Sequence, residues 1–169
     1  KLNKKIIHNS FTYEKGFNRK INLKKKLTVG VVGLIHKSKG VHLFFKAAKL
    51  CRDLGFDISF HIYGNVVSKS NSFFNKIRKI LNFNEDISED LKIEIAKYNL
   101  NEYIKIFPFN PNLTSVYNKI DIVCFPSYLN SPGRPIFEAG FFCVPSIIAI
   151  TKNYDDTFIE NFTGIKIKQ

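Results

Sequence analysis

The sequence predicts an α/β fold, in which a Rossmann-like parallel sheet is flanked by helices. Five short segments rich in apolar and β-branched residues, at 27–34, 57–63, 103–107, 120–125 and 146–150, have the composition of strands in a parallel sheet. Segments with helical periodicity lie between them, and Gly, Pro, Asn and Ser gather where a strand gives way to a helix. The 169 residues, 44% of them apolar, suffice for the core of one domain.

Positive charge is concentrated at the start of the chain. The net charge is +12, and residues 1–26 hold nine Lys or Arg against the single acid Glu14. We expect residues 1–26 to be a basic linker and residues 27–169 to be the folded domain. A basic segment of this kind favours binding to an anionic membrane surface or an anionic substrate. The alternative is that this basic arm is a solvated linker. Because aromatic and basic residues do not interleave, nucleic acid is not an expected partner.

The cysteines and the apolar runs predict a cytoplasmic protein. Cys51, Cys124 and Cys143 show neither close pairing nor metal-type spacing, so we expect buried free thiols and no metal. No apolar run approaches the roughly 20 residues of a membrane helix, and no signal peptide is visible. Peripheral attachment to the inner face of a membrane through the basic arm stays open.

The first predicted strand leads into a loop that ends at Lys39 and Gly40. A strand, a loop with Gly and Lys, and a helix form the layout of a phosphate site. We therefore expect Lys39 to contact phosphate, with an ordinary surface lysine as the alternative, and Gly40 to let a ligand approach the backbone. One apolar face of the following helix is predicted to comprise Leu43, Phe44, Ala47, Ala48 and Cys51.

The second predicted strand contains a histidine and is followed by a glycine. His61 lies between apolar neighbours in the strand that Gly64 closes, so we interpret it as a core or half-buried histidine and not as a base. Helical periodicity follows at 73–81 and again at 91–98, where Asp86 and Glu89 resemble a capping box. A short helix capped by Asn112 or Thr114 is predicted before the fourth strand.

The fourth predicted strand leads into a loop at 126–133 and then into a helix. Glu138 lies one turn into that helix, at the carboxyl end of a strand, where open α/β sheets bind ligands. The helix begins near Gly133, so its free N–H groups could receive a diphosphate. Arg134 in the first turn opposes the helix dipole unless an anion or carboxylate lies nearby, so its position indicates one; the alternative is an exposed arginine.

Seven residues separate Asn130 from Glu138, with Gly133 and Arg134 between them and Ala139 after them. This arrangement resembles the signature of the retaining group 1 (family 4) glycosyltransferases of GT-B fold. The family pattern is Glu, two residues, Gly, often Arg, three residues, then Glu-Ala. The chain departs from it at Asn130, which stands where the family has its first Glu.

A second segment carries the same resemblance. The family has Gly-Arg-Leu, three residues and Lys-Gly after its first strand, and Gly33, Lys39 and Gly40 match it, whereas Leu34 replaces the arginine. The resemblance implies that Lys39 contacts the donor diphosphate. His36 or Lys37 could replace the missing cation, although a solvent-facing histidine is the alternative.

The remaining site residues follow from the same likeness. Gly64 falls where the family has a glycine beside the nucleotide, and the loop at Phe107 and Pro108 falls where the family holds the base, with core packing as the alternative for Phe107. Pro132, Gly133 and Arg134 are further expected substrate contacts. Glu138 would accept hydrogen bonds from the ribose hydroxyls, as acids do in dinucleotide folds.

The resemblance implies the donor-binding half of a GT-B enzyme, with Lys39 and Asn130 as the catalytic residues. The substrate would be a nucleotide-diphosphate sugar, used without metal or cofactor, and a glycan or lipid-linked acceptor would bind an N-terminal domain absent here. Residues 3–10 resemble the crossover between the two halves, and the family's closing helices are expected after residue 169, so the chain alone should be inactive. The alternatives are a catalytically silent nucleotide- or sugar-binding module and a basic docking domain for anionic lipid or polymer.

Overall fold

Six parallel strands form the sheet at the centre of the molecule. The computed structural model describes residues 26–65, 87–129, 133–150 and 157–168. Across the sheet the strands follow the order β3-β2-β1-β4-β5-β6. In chain order the strands are β1 (Leu27–Val32), β2 (Ile58–Tyr63), β3 (Ile104–Phe107), β4 (Ile122–Phe125), β5 (Ser146–Ile148) and β6 (Gly164–Lys166).

Helices cover both faces of the sheet because alternate residues of each strand point to opposite sides. The described helices are α1 (Val41–Asp53), α2 (Ser88–Lys97), α3 (Leu113–Tyr117) and α4 (Arg134–Phe141), and a short 3₁₀ turn, Lys37–Lys39, precedes α1. Helices α1 and α2 pack on β1, β2 and β3 in one apolar cluster. Helices α3 and α4 pack on β4 in a second cluster that includes Tyr117 and Phe142.

The predicted α/β class and all five predicted strands are confirmed, with shorter ends. The first strand stops at Val32 because Gly33 has a φ of 138°, which turns the chain away from the sheet. Leu34 is consequently exposed. The segment 73–81 and the predicted cap Asp86 lie outside the described residues. Helix α2 is preceded by Ile87, which makes no side-chain cap bond.

The predicted core face of α1 is partly wrong. Phe44 and Ala48 are buried as expected, but Leu43 and Ala47 face solvent. Val41 and Phe45 are buried instead. The buried positions 41, 44, 45 and 48 follow the helical repeat of one stripe, and that stripe is the one that faces β1 and β2.

The cysteines are free thiols, but not all are buried. Cys51 and Cys124 are partly buried, whereas Cys143 is exposed, so the prediction of burial was wrong for Cys143. Cys143 follows the last turn of α4 in the left-handed conformation, with a φ of 53°, which turns its side chain outward. Among the described helices, none combines the length and apolar character that crossing a bilayer requires.

Candidate functional site

The strand order creates a switch point between β1 and β4. From β1 the chain proceeds to β2 and β3 on one side, and from β4 to β5 and β6 on the other. Doubly wound sheets of this order bind ligands in the crevice outside the carboxyl ends of the two central strands. Residues 33–40 follow β1 and residues 126–133 follow β4, so the two predicted site loops leave the sheet side by side.

The described parts of these two loops are in direct contact. The backbone carbonyl of Ser38 accepts hydrogen bonds from the Tyr128 N–H at 3.0 Å and the Ser127 hydroxyl at 3.3 Å. Gly40 is buried with a φ of 70°, and a Cβ there would overlap the Pro126 carbonyl. The room that we expected beside Gly40 for a ligand is therefore filled by the neighbouring loop, because the two backbones meet there.

Lys39 closes the 3₁₀ turn that precedes α1. Its N–H donates to the His36 carbonyl at 3.0 Å, and its residue is partly exposed. The His36 ring lies 2.7 Å from the Ser38 hydroxyl and caps the turn. His36 thus has a local structural role, and it is not simply a solvent-facing side chain. Lys39 stands at the switch point, immediately before the first turn of α1.

Two glycines shape the edge of the site beside β2. A Cβ on Gly64 would overlap the Gly33 carbonyl. The backbone just after β1 and the backbone just after β2 can therefore lie this close together only because Gly64 has no side chain. The Gly33 N–H donates to the Tyr63 carbonyl at 2.9 Å. Gly33 itself is exposed, and no other described residue occupies the space where its side chain would lie.

The N-terminus of helix α4 lies at the carboxyl ends of the strands, as the loop with Lys39 does. Gly133 precedes Arg134, and a Cβ on Gly133 would overlap the ring of Phe125 at the end of β4. The first turn holds no acidic residue, so nothing within it neutralises the positive end of the helix dipole. Asn130 and Pro132 lie outside the described residues, and their roles stay predictions.

Glu138 is only 2% exposed, and each of its carboxylate oxygens has a protein partner. Arg134 Nε donates to Oε1 at 3.0 Å, and the Tyr117 hydroxyl donates to Oε2 at 2.7 Å. The carboxylate that the position of Arg134 indicated is therefore Glu138, one turn along the helix. A carboxylate offers about four lone-pair sites, so both oxygens retain capacity for a ligand hydroxyl.

Sequence reasoning missed Tyr117. It is the last residue of α3 and lies 21 residues before Glu138, to which its hydroxyl donates. A tyrosine at the end of a short apolar helix gives no sign in the sequence of such a hydrogen bond. Burial, followed by the charge of Glu138 and its hydrogen bond, raises the pKa of Tyr117 above the ordinary value of 10.0. The hydroxyl consequently stays protonated and acts as a donor to the carboxylate.

The pair of His42 and Tyr128 was also missed. His42 Nε2 lies 3.1 Å from the Tyr128 hydroxyl, and the two rings stack at 5.7 Å. Burial, and then Lys46 and Lys37, lower the pKa of His42 below 6.5. This neutral ring adds a third link between the start of α1 and the loop after β4.

The predicted base-binding loop follows β3. Phe107 is half-buried, stacked on Tyr63 with ring centroids 4.7 Å apart and edge-on to His61 at 5.0 Å. Core packing is thus the observed state of Phe107, and the half-buried interpretation of His61 is confirmed. Pro108 and Phe109 are exposed. Asn112, not Thr114, caps α3 by accepting from the Ser115 N–H at 2.9 Å.

These features define the class of the protein as a Rossmann-like α/β domain with a switch point between β1 and β4, the place where sheets of this order bind ligands. The family model of glycosyl transferases group 1 matches residues 14–169. The chain belongs to this family, as the resemblance predicted. No curated protein matches the sequence.

Solved structures share the fold. A mutant of S. aureus TarM, in complex with Fondaparinux, alpha-GlcNAc-glycerol and UDP, matches 96% of this chain at 18% identity with a TM-score of 0.68. Anabaena Alr3699/HepE, in complex with UDP and glucose, matches 85% at 18% identity with a TM-score of 0.64. The C-terminal domain of LpcC, a glycosyl transferase group 1 family protein from Francisella tularensis, matches 84% at 19% identity with a TM-score of 0.63.

The chain spans 30% of the TarM chain, 34% of the HepE chain and 67% of the LpcC domain. At these identities the likeness concerns the fold. It confirms the predicted half of a GT-B architecture.

Proposed function

We propose that this chain is the donor-binding domain of a retaining glycosyltransferase and that it binds a nucleotide-diphosphate sugar at the switch point. One observation carries the proposal: the loop with Lys39 and the N-terminus of α4 lie side by side at the carboxyl ends of β1 and β4. A cation and a helix N-terminus at one edge of a sheet form a site for a diphosphate. Membership of the glycosyl transferases group 1 supports the choice of donor.

The parts of the donor correspond to different elements. The diphosphate would lie between Lys39 and the first N–H groups of α4, and the ribose would face Glu138. The base would lie near the loop after β3, where Phe109 is 55% exposed. The donor is the substrate, and the proposal includes neither metal nor cofactor.

The reaction is glycosyl transfer with retention at the anomeric carbon. The bond between that carbon and the diphosphate oxygen breaks while a bond to the acceptor oxygen forms, and the acceptor proton passes to the departing diphosphate. Charge accumulates on the departing diphosphate, so a lysine and a helix N-terminus stabilise the transition state more than the ground state. Asn130 would hydrogen-bond the sugar hydroxyls, and an acceptor of glycan or lipid-linked type would bind outside this chain.

The first test measures nucleotide binding by the chain. UDP is the first probe because the TarM and HepE structures contain it, and a panel of other nucleoside diphosphates follows. A ligand at 100 times its dissociation constant stabilises a fold by about 2.7 kcal/mol, which thermal unfolding detects. The absence of a shift with every nucleoside diphosphate at millimolar concentration would overturn the proposal.

The second test assigns the diphosphate. Lys39→Ala should weaken UDP roughly ten- to a hundredfold, the loss of one hydrogen bond to a charged group, and should leave uridine almost unchanged. Lys119→Ala is the matched control, because Lys119 is exposed and lies just before β4, at the amino end of the strands and thus away from the proposed site. Equal losses for UDP and uridine would make Lys39 an ordinary surface lysine.

A catalytically silent nucleotide-binding module is the second candidate. The observation that favours it is Leu34, which is 47% exposed beside the site where the family has an arginine. Both candidates bind nucleotide, so the distinguishing measurement is product formation by a longer protein that contains this domain. Detectable sugar turnover would eliminate the silent module.

Attachment to an anionic membrane through residues 1–26 is a separate proposal about location. It predicts binding to anionic vesicles that weakens with salt and is lost on deletion of residues 1–26, without any effect on nucleotide binding.

A further inference from the structure

Tyr117 is held in place by burial, by ring stacking and by its hydroxyl. The residue is completely buried, and its ring stacks on Phe142 with centroids 5.1 Å apart and planes inclined by 8°. The hydroxyl lies 2.7 Å from Glu138 Oε2 and 3.4 Å from the Pro135 carbonyl. A single hydroxyl proton favours the shorter bond to the charged acceptor, so it belongs to Glu138.

The two partners of Glu138 differ in how easily a ligand could displace them. Tyr117 lies in the core, where its ring stacks on Phe142. The Arg134 side chain is 58% exposed and the Glu138 side chain 2%, so a ligand hydroxyl that approaches from solvent can take the place of the guanidinium at the carboxylate. The carboxylate thus has one fixed oxygen, Oε2, and one exchangeable oxygen, Oε1.

We propose that Tyr117 is a positioning residue for Glu138, holding the carboxylate so that Oε1 faces the ribose hydroxyls of the nucleotide. This inference rests on the proposed donor site. The terminal torsion of a glutamate is broad and has no strong preference of its own. The Tyr117 hydroxyl selects one orientation, and a ribose hydroxyl then exchanges with Arg134 at Oε1.

Ribose discrimination is the readout, because a purely structural Tyr117 would affect every nucleotide equally. The experiment compares the dissociation constants of UDP and 2′-deoxy-UDP by calorimetry on residues 1–169. The wild type should bind UDP roughly tenfold more tightly or better, the effect of one hydrogen bond to a charged acceptor. In Tyr117→Phe the ratio should fall below about threefold, with the affinity for 2′-deoxy-UDP nearly unchanged.

Tyr63→Phe is the matched control. It removes a hydroxyl from the same apolar cluster, but that hydroxyl lies near His61, at 3.4 Å from Nδ1, and not near Glu138. The control should retain the wild-type ratio. A Tyr117→Phe variant that keeps the wild-type ratio would overturn the inference and leave the proposed function intact.

A second variant covers the case in which Tyr117→Phe does not fold. Arg134→Ala removes the exchangeable partner from the protein surface, so the ratio should equal or exceed that of the wild type. A ratio that falls to near unity would show that Arg134 does the positioning, which would overturn the inference. Failure of the wild type to bind UDP or any other nucleoside diphosphate would instead overturn the proposed function, and binding without ribose preference would overturn the inference alone.

Discussion

At the scale of single residues, glycines determine how closely the backbones around the candidate site approach one another. Gly40 and Gly55 both adopt left-handed conformations, with φ values of 70° and 79°. They differ in their surroundings. A side chain at Gly40 would overlap the Pro126 carbonyl, whereas the space around Gly55 is open.

This pair allows backbone strain to be separated from steric overlap. We expect Gly55→Ala to lower the free energy of unfolding by about 1–2 kcal/mol, the cost of a left-handed alanine. Gly40→Ala should cost about 1–3 kcal/mol more, because a backbone carbonyl cannot move away as a side chain can. Urea denaturation of both variants measures the difference. Equal destabilisation would contradict the contact between the two site loops.

Only part of the environment of Glu138 could be predicted from the sequence. Its place one turn into a helix after a strand follows from the spacing of Pro, Gly and apolar residues, and the nearby charge follows from Arg134. The partner Tyr117 could not be predicted, because the contact depends on how α3 and α4 pack across 21 residues of sequence. Likewise, the loss of open space at Gly40 depends on a neighbouring loop that the local pattern does not specify.

At the scale of the elements, two glycines in and beside helix α4 have opposite roles. Gly140 lies in the helix with open space around its Cα, whereas Gly133 precedes the helix against the Phe125 ring. The conformation of Gly133, with φ of −76° and ψ of 152°, is open to any residue. Among the described residues, the Phe125 ring makes the most severe overlap with a Cβ at Gly133.

We expect opposite effects from the same substitution at these two positions. Gly140→Ala should raise the free energy of unfolding by roughly 0.5–1 kcal/mol, the difference in helix propensity. Gly133→Ala should lower it by about 1–3 kcal/mol through overpacking, and the added change Phe125→Leu should restore part of the loss. Thermal and urea unfolding provide the measurement. Destabilisation of Gly133→Ala that Phe125→Leu does not relieve would exclude the ring as its cause.

The strands were predictable and the face of α1 was not, for a physical reason. A strand buried on both sides needs apolar residues throughout, so a short β-branched run identifies it. In α1, apolar residues occupy positions 41, 43, 44, 45, 47, 48, 50 and 51, so more than one stripe is apolar. Only packing against β1 and β2 selects the face with Val41 and Phe45 and leaves Leu43 in solvent.

At the scale of the whole molecule, the candidate site occupies one edge of one sheet. The residues that we propose bind the donor lie on that edge, and the chain spans about a third of the TarM and HepE chains. Transfer requires the acceptor oxygen to be held about 3–3.5 Å from the reacting carbon. The proposed site includes no residue assigned to the acceptor.

We therefore expect residues 1–169 to bind nucleotide and to transfer no sugar by themselves. Calorimetry with UDP and a product assay with a UDP-sugar, on this chain and on a longer protein that contains it, measure the two properties in parallel. Binding should persist in both proteins, and product should form only with the longer one. Robust transfer by residues 1–169 would show that a complete acceptor site lies within this chain.

The contact between the two site loops has a consequence for engineering donor specificity. The Ser38 carbonyl receives two hydrogen bonds from the loop after β4, and Gly40 lies against Pro126 in that loop. A graft of residues 126–133 from another transferase would bring a segment shaped for a different partner, and the recipient segment 33–40 would then clash with it or lose its bonds. The smallest transplantable unit is consequently the pair of segments, although 85 residues of chain lie between them. Recombination libraries with crossover points between the two segments should therefore yield mostly misassembled sites.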